Sequence, residues 1–181
     1  MEQKHQKYER LLARCKEIAP TPTAVAHPCD ESSLRGAVEA AEMGIIRPLL
    51  VGPRSKIEEV ARAAGLNIAP YELIDVEHSH AAADMAVQLA REGRAELLMK
   101  GSLHTDELMA AIVRSGTGLR TERRISHCFI MDVPNLDRAI IITDAAINIF
   151  PTMEDKVHII QNAIDLAHSL GIERPKVAIL S

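Results

Sequence analysis

Three stretches of the chain carry side chains suited to holding an anion. The first is Lys100-Gly101-Ser102-Leu103-His104-Thr105-Asp106. Gly101 lets backbone come close to a ligand, Ser102 and Thr105 add hydroxyl groups, and Lys100 adds positive charge. A helix beginning at Thr105 would add the free N–H groups of its first turn. That set suits phosphate or a phosphorylated substrate. It is not a Walker A loop, because the Gly-x4-Gly-Lys-[Ser/Thr] spacing is absent. The same residues also make an ordinary turn with Thr105 as a plain N-cap. The second stretch is Gly116-Thr117-Gly118-Leu119-Arg120-Thr121-Glu122-Arg123-Arg124. Guanidinium forks bind phosphate or carboxylate bidentately, yet a charge run of this kind is also a normal solvated loop with local ion pairs. The third is Thr143-Asp144-Ala145-Ala146-Ile147-Asn148. Asp144 and Asn148, after an apolar strand, can position a substrate or act in acid–base chemistry. They can equally be a capping Asp and a turn Asn.

Other chemistry finds less support. His78 and His80 lie two apart without a third ligand at a recognisable spacing, and His158 and His168 fall on different faces of one helix. No metal site is expected. Cys15, Cys29 and Cys128 are odd in number and contain no Cys-x-x-Cys pair. Reduced thiols and a cytosolic compartment follow. Neither Gly-x-Gly-x-x-Gly nor Gly-x-Ser-x-Gly occurs, which weighs against simple dinucleotide-binding and hydrolase-elbow readings.

The elements that must position these residues follow a rhythm. Tyr8–Ile18 reads as a helix ended by Pro20 and Pro22. Thr23–His27, Pro48–Val51, Tyr71–Val76 and Glu96–Met99 read as short strands. Helical patterns follow each: after Asp30, which offers a cap; after Ser55 and Glu58, which form a capping-box pattern; around Met85–Ala90; and after Thr105. Repeated strand–helix order implies parallel strands with helical crossovers, hence an α/β sheet. In such a sheet the crevice at the strand C-terminal ends takes the ligand. The rhythm breaks at Ile125–Met131 and Ala139–Thr143, which are too close for a crossover and should pair antiparallel. Thr152 and Asp155 then open a helix reaching Leu170, with apolar residues on two sides. Lys176–Leu180 reads as a last strand.

The 181 residues carry a net charge of −4, with 47% hydrophobic and 25% charged residues. That is the balance of a soluble globular chain, large enough to bury a core without staples. General nucleic-acid binding is disfavoured by the acidic charge. Aromatic residues are 2%, with no Trp, so stacking platforms for bases are not expected. No apolar run approaches the ~18 residues of a membrane span, and the charged stretch Met1–Ile18 does not resemble a signal peptide.

Several blocks together resemble one family. They are His27-Pro28-Cys29-Asp30-Glu31, Ser33-Leu34-Arg35-Gly36-Ala37, Pro48-Leu49-Leu50-Val51-Gly52-Pro53, Met99 to Leu108, Gly118 to His127, Ile142 to Asn148, and Pro175 to Ser181. In order and spacing they resemble the phosphate acetyl/butyryltransferase family, especially its butyryltransferase-like branch, over nearly the whole chain after Tyr8. The resemblance implies a three-layer α/β/α fold with a mostly parallel sheet. It also implies a two-domain architecture similar to isocitrate and isopropylmalate dehydrogenases. Residues 1–138 would form the first domain and 139–181 the start of a second, incomplete one. The implied reaction is acyl-CoA plus phosphate giving acyl phosphate plus CoA, by direct attack in a ternary complex. CoA and acyl-CoA are then substrates, no cofactor or metal is needed, and the protein is a homodimer. Lys100, Gly101, Ser102, Thr105, Arg120, Arg123 and Arg124 become candidates for phosphate and CoA binding, and Asp144 and Asn148 for substrate positioning. Two departures are visible. The acetyl branch carries an arginine early in the helix after the Gly-Ser loop, where this chain reads Glu107-Leu108-Met109-Ala110. That argues against a strict acetyl enzyme, or shifts the role to Arg120–Arg124. The family's catalytic Ser-Arg and Asp motif lies beyond a block like the one ending at Ser181, so no residue here inherits it. The alternatives are a non-catalytic CoA- or phosphate-binding module and, less well supported, a metal-dependent hydroxyacid dehydrogenase of similar fold.

Overall fold

A computed structural model describes residues 6–134 and 136–180. They carry six helices and six strands. Two compact units can be distinguished: Cys15–Arg120, and Met1–Arg14 together with Thr121–Ser181. Cys128–Met131 pairs with Ile140–Thr143, so a division at residue 138 would separate the two strands.

The first unit is a parallel α/β layer structure. β1 (Thr21–Ala26), β2 (Ile46–Gly52), β3 (Glu72–Asp75) and β4 (Leu97–Lys100) form one sheet in the order β3-β2-β1-β4, all parallel. Alternation along the strands assigns the two faces. Val25 and Leu50 pack with Leu34 and Ala37 of α2 (Glu31–Glu42) and Ile57 and Ala61 of α3 (Arg54–Ala64). Ala24, Ala26, Leu49 and Val51 pack with Ala82, Ala86 and Leu89 of α4 (Ser79–Arg91) and with Leu108 and Ala111 of α5 (Thr105–Val113). The result is a helix–sheet–helix sandwich, as the strand–helix rhythm implies. Its small-residue core follows from the near absence of aromatics. Strand order reverses at β1: β2 and β3 lie to one side of it, and β4 to the other. Crevices form at such a switch point, beyond the strand C-terminal ends.

Helix starts agree with expectation at some places and depart at others. Asp30 caps α2, its carboxylate accepting from the Ser33 N–H at 2.7 Å. Ser55 and Glu58 form no capping box. α3 already begins at Arg54 behind Pro53, which pre-sets the turn, and Glu58 faces Arg54 one turn away at 3.5 Å. Thr105 is not the cap of α5 but its first residue. His104 precedes the helix, without a side-chain cap bond.

The second unit contains the antiparallel pair β5 (Cys128–Met131) and β6 (Ile140–Thr143), in the register Cys128↔Thr143 to Met131↔Ile140. α6 (Met153–Ser169) starts at a full Thr152–Asp155 capping box. It fully buries only Ile159 and Ala167, and Val157 is 60% exposed, so the expected burial on two sides is not reached. α1 (Gln6–Cys15) fastens to this unit through Lys7 on Asp132 at 2.7 Å and Arg14 on the Leu170 carbonyl. The strand expected at Lys176–Leu180 does not form. The segment has no ladder partner among the described residues, and Val177, Ile179 and Leu180 are exposed.

Candidate functional site

At the switch point two strand ends are joined by a compact set of bonds. Lys100 ends β4 opposite Ala26, the last residue of β1. Beyond them the Gly101 N–H donates to the Ala26 carbonyl at 2.8 Å, and the Ser102 N–H to the His27 carbonyl at 2.9 Å. Parallel pairing thus continues past the strands. Gly101 is required there: a Cβ would lie 2.5 Å from the carbonyl oxygens of both Ala26 and His27. The Ser102 hydroxyl donates to the His27 carbonyl at 2.8 Å and accepts the Cys29 N–H at 3.3 Å. The His27 Nδ1 lies 3.0 Å from the same oxygen. His27 adopts a left-handed conformation at φ 56°, uncommon for a residue with a Cβ. Pattern reading assigned it no role, although it ends a strand and opens the His27–Glu31 block.

Charge around this corner is mixed. Burial holds the His27 imidazole below its ordinary pKa, and the Lys56 ammonium adds to that, while Glu107 and Asp30 pull the other way. Burial raises the Cys29 thiol, with Lys56 opposing. Hydrogen bonds from the Ser33 N–H and hydroxyl keep Asp30 below the usual carboxylate range, helped by the Lys100 charge. Lys100 is exposed, with its ammonium 3.2 Å from the Gly101 carbonyl. Thr105 is exposed at the first turn of α5. Glu107, on the same turn, points inward. One of its carboxylate oxygens is buried without a partner, and the other sits 3.6 Å from His80.

The glycine-rich stretch before the arginines is structural at its start. Gly118 donates to the Arg114 carbonyl at 2.9 Å, and Leu119 to the Ile112 carbonyl at 2.7 Å, wrapping the end of α5. A Cβ at Gly118 would lie 2.3 Å from the Ile112 oxygen. Arg91 of α4 holds the carbonyls of Gly116 and Gly118 at 2.7 and 3.0 Å. Arg120, exposed, closes this unit.

Within the second unit Arg124, Asp144 and Asn148 form one network. Arg124 donates through Nε to the Asn148 side chain at 2.6 Å and pairs with Asp155 at 3.1 Å. The Asn148 amide donates to the Ile125 carbonyl at 3.0 Å and to Asp144. The Asp144 carboxylate accepts the N–H groups of His127, Ala146, Ile147 and Asn148. Burial alone would raise its pKa. The Asn148 side chain and these backbone donors outweigh that and hold it low. Asp144 and Asn148 therefore organise the turn after β6. Arg123 pairs with Asp165 at 2.5 Å and lines an open hollow of 590 Å³ with Thr121, Glu122 and His158. Among the described residues no three His, Cys, Asp or Glu side chains are grouped to hold a metal. Cys15, Cys29 and Cys128 are free thiols. No helix among those residues is long and apolar enough to cross a membrane.

Solved structures share this architecture. A phosphotransacetylase from Streptococcus pyogenes matches with a TM-score of 0.79 over 95% of this chain and 62% of its own, at 20% identity. A branched-chain phosphotransacylase from Enterococcus faecalis V583 matches with a TM-score of 0.74 over 89% of this chain and 56% of its own, at 23% identity. The fold is thus the α/β fold of the phosphotransacylases. Residues 77–181 match the family model described as phosphate acetyl/butaryl transferase, and the chain belongs to that family. A phosphate acetyltransferase of Rhizobium meliloti is 61% identical over 97% of this chain and 55% of its own length. A phosphate butyryltransferase of Clostridium beijerinckii is 38% identical over 94% and 57%. The chain spans about half the length of the curated relatives it matches.

Proposed function

We propose that the protein carrying this chain transfers a short acyl group between CoA and inorganic phosphate. A phosphate oxygen attacks the thioester carbonyl carbon, the carbon–sulfur bond breaks, and the CoA sulfur leaves as a thiolate that takes up a proton. The observation that carries the reading is the Lys100–Ser102 loop at the β1/β4 switch point, inside the segment that matches the family. Lys100 offers positive charge, Thr105 and the first turn of α5 offer N–H donors to a phosphate group, and Gly101, whose own N–H goes to Ala26, lets the loop lie close. Arg120, in the same unit, supplies further guanidinium charge, and Arg123 and Arg124 are the phosphate-binding candidates of the second unit. Positive groups of this kind also stabilise charge developing on the carbonyl oxygen and the leaving sulfur. Holding both substrates together removes much of the entropic barrier. CoA and acyl-CoA enter as substrates without a further cofactor, in a cytosolic homodimer. Identity weighs towards relatives named for acetyl transfer, while Glu107-Leu108-Met109-Ala110 weighs towards the butyryl branch. Both acyl chains therefore belong in the test.

The complete gene product should release CoA from acetyl-CoA or butyryl-CoA only when phosphate is present. Lys100→Ala and Arg120→Ala should raise the KM for CoA or phosphate, each by roughly tenfold if a charged hydrogen bond of about 1.5 kcal/mol is lost. Absence of phosphate-dependent release from either thioester refutes the proposal. A second reading is a CoA- or phosphate-binding module without turnover: the chain spans about half the length of its relatives, and no residue in it matches the family's Ser-Arg and Asp motif. Calorimetry with CoA showing saturable binding and no turnover would select it.

A further inference from the structure

Ser102 stands in the loop read above as phosphate-binding, and its hydroxyl was the natural candidate for a direct ligand. The structure occupies that hydroxyl otherwise. A serine Oγ has one proton to donate, and here it goes to the His27 carbonyl at 2.8 Å. The Oγ lone pairs face the Cys29 N–H at 3.3 Å and His27 Nδ1 at 3.0 Å. With the hydroxyl proton on the carbonyl, the contact to Nδ1 is a hydrogen bond when Nδ1 carries the proton; an Nε2–H ring would instead draw the hydroxyl proton to Nδ1. The His27 carbonyl receives three donors: the Ser102 N–H at 2.9 Å, the Cys29 N–H at 2.8 Å and the Ser102 hydroxyl. His27 meets this demand by turning left-handed, at φ 56°. The glycine before Ser102 tolerates no side chain because the two loops lie so close.

We infer that Ser102 is a positioning residue, clasped to the Nδ1-protonated ring of His27, which locks the Lys100–Gly101 backbone and the start of α5 onto the end of β1. Ser102 thus contributes to phosphate binding without touching the phosphate. The inference rests on the reading of this loop as the phosphate-binding one. It adds His27 and Cys29 as the residues that hold the loop in shape.

The test uses the complete protein with Ser102→Ala, Ser102→Thr, His27→Asn and the Ser102→Ala/His27→Asn double variant. Asn is chosen because it tolerates the left-handed conformation. Steady-state kinetics with CoA, acyl-CoA and phosphate should show a three- to tenfold rise in KM for one phosphate-bearing substrate in Ser102→Ala. Its kcat should stay within twofold. Ser102→Thr, which keeps the hydroxyl, should recover the wild-type KM to within twofold. His27→Asn should raise the same KM, and the double variant should be no worse than Ser102→Ala, since both changes open one clasp. Multiplying effects, a silent His27→Asn, or a loss confined to kcat would each overturn the inference. A readout independent of turnover is the nitrogen-15 shift pattern of the His27 ring. Nδ1–H in the wild type, lost as the dominant tautomer in Ser102→Ala, supports the clasp; an Nε2–H wild-type ring overturns it. Wild-type protein lacking phosphate-dependent CoA release would refute the proposed function alone, leaving the tautomer measurement to decide the clasp.

Discussion

Replacing Gly101 by alanine tests the geometry of the switch point most directly. The added Cβ would lie 2.5 Å from two carbonyl oxygens and 2.6 Å from the His27 carbonyl carbon, whereas real Cβ contacts stay above 3.0 Å. All three neighbours are backbone atoms at the end of a buried strand, so no side chain can swing aside. The loop must retreat by at least 0.5 Å, the difference between those two distances. The 2.8 and 2.9 Å N–H bonds of Gly101 and Ser102 would then stretch beyond normal hydrogen-bond length. Two such bonds are worth about 0.5–1.5 kcal/mol each, and the overpacking adds about 1–3 kcal/mol. The expected loss is therefore about 2–6 kcal/mol. Urea unfolding measures it: with a slope of about 2 kcal/mol per molar, a 3 kcal/mol loss lowers the midpoint by about 1.5 M. Gly36→Ala is the matched control. It lies inside α2, and its Cβ would meet only the end of Met99 at an ordinary 3.6 Å. Alanine there should stabilise by about 0.5–1 kcal/mol through helix propensity. A loss at Gly101 below about 0.5 kcal/mol, or one matching Gly36→Ala, would refute the close approach of the two loops.

Four further outcomes are expected. Asp144→Ala should cost about 2–4 kcal/mol in thermal or urea unfolding, because four N–H groups of a half-buried turn lose their acceptor. A cost under 1 kcal/mol would make the turn self-supporting. Asp30 and Asp144 have folded pKa values below their unfolded ones. Their stabilisation is complete above about pH 4 and is lost as pH falls through the lower folded values, so Asp144→Ala should flatten the acid limb of the stability profile. His27 has its pKa depressed by burial and Lys56. The unfolded chain therefore binds its proton more readily, and this group's contribution falls as pH drops below about 6.5. Its NMR titration should show a midpoint below 6.5, and a higher one contradicts the surroundings described. Thr152→Ala should remove about 1 kcal/mol by opening the capping box of α6, read as a lower melting temperature.

Much of the fold was legible because the signals are local. Strands of the first unit are short apolar runs between glycines and prolines, and its helices α2 to α5 bury apolar residues such as Leu34, Ala37 and Val38 of α2. Hairpin geometry followed from chain length alone: seven residues cannot make a parallel crossover, and β5 and β6 pair antiparallel. Misreadings arose where a local motif competed with another constraint. Ser55 and Glu58 have capping-box spacing, but Pro53 lets the helix begin at Arg54. Lys176–Leu180 has strand composition, yet a strand exists only through a neighbour, and none lies beside it among the described residues.

The site was less legible because its meaning depends on distant partners. Lys100, Gly101 and Ser102 were recognisable as a ligand-type loop. Nothing in their own neighbourhood points to His27, 75 residues away, as the partner of the Ser102 hydroxyl. The arginines show the same dependence from the other side. Arg123 and Arg124 look like free cations in a charge run, but Asp165, Asp155 and Asn148 reach them from α6 and from the turn after β6. An anionic ligand at either guanidinium must compete with a carboxylate already in place. The exposed Arg123–Asp165 pair is worth only about 0–1 kcal/mol, less than a charged hydrogen bond to phosphate at about 1.5–3 kcal/mol. A phosphate can therefore displace Asp165 from Arg123. Asp165→Asn should then tighten CoA binding by roughly two- to fivefold, the factor that loss of about 0.4–1 kcal/mol of competition sets. Unchanged or weaker binding in a calorimetric titration would show that Arg123 serves the fold and not the ligand.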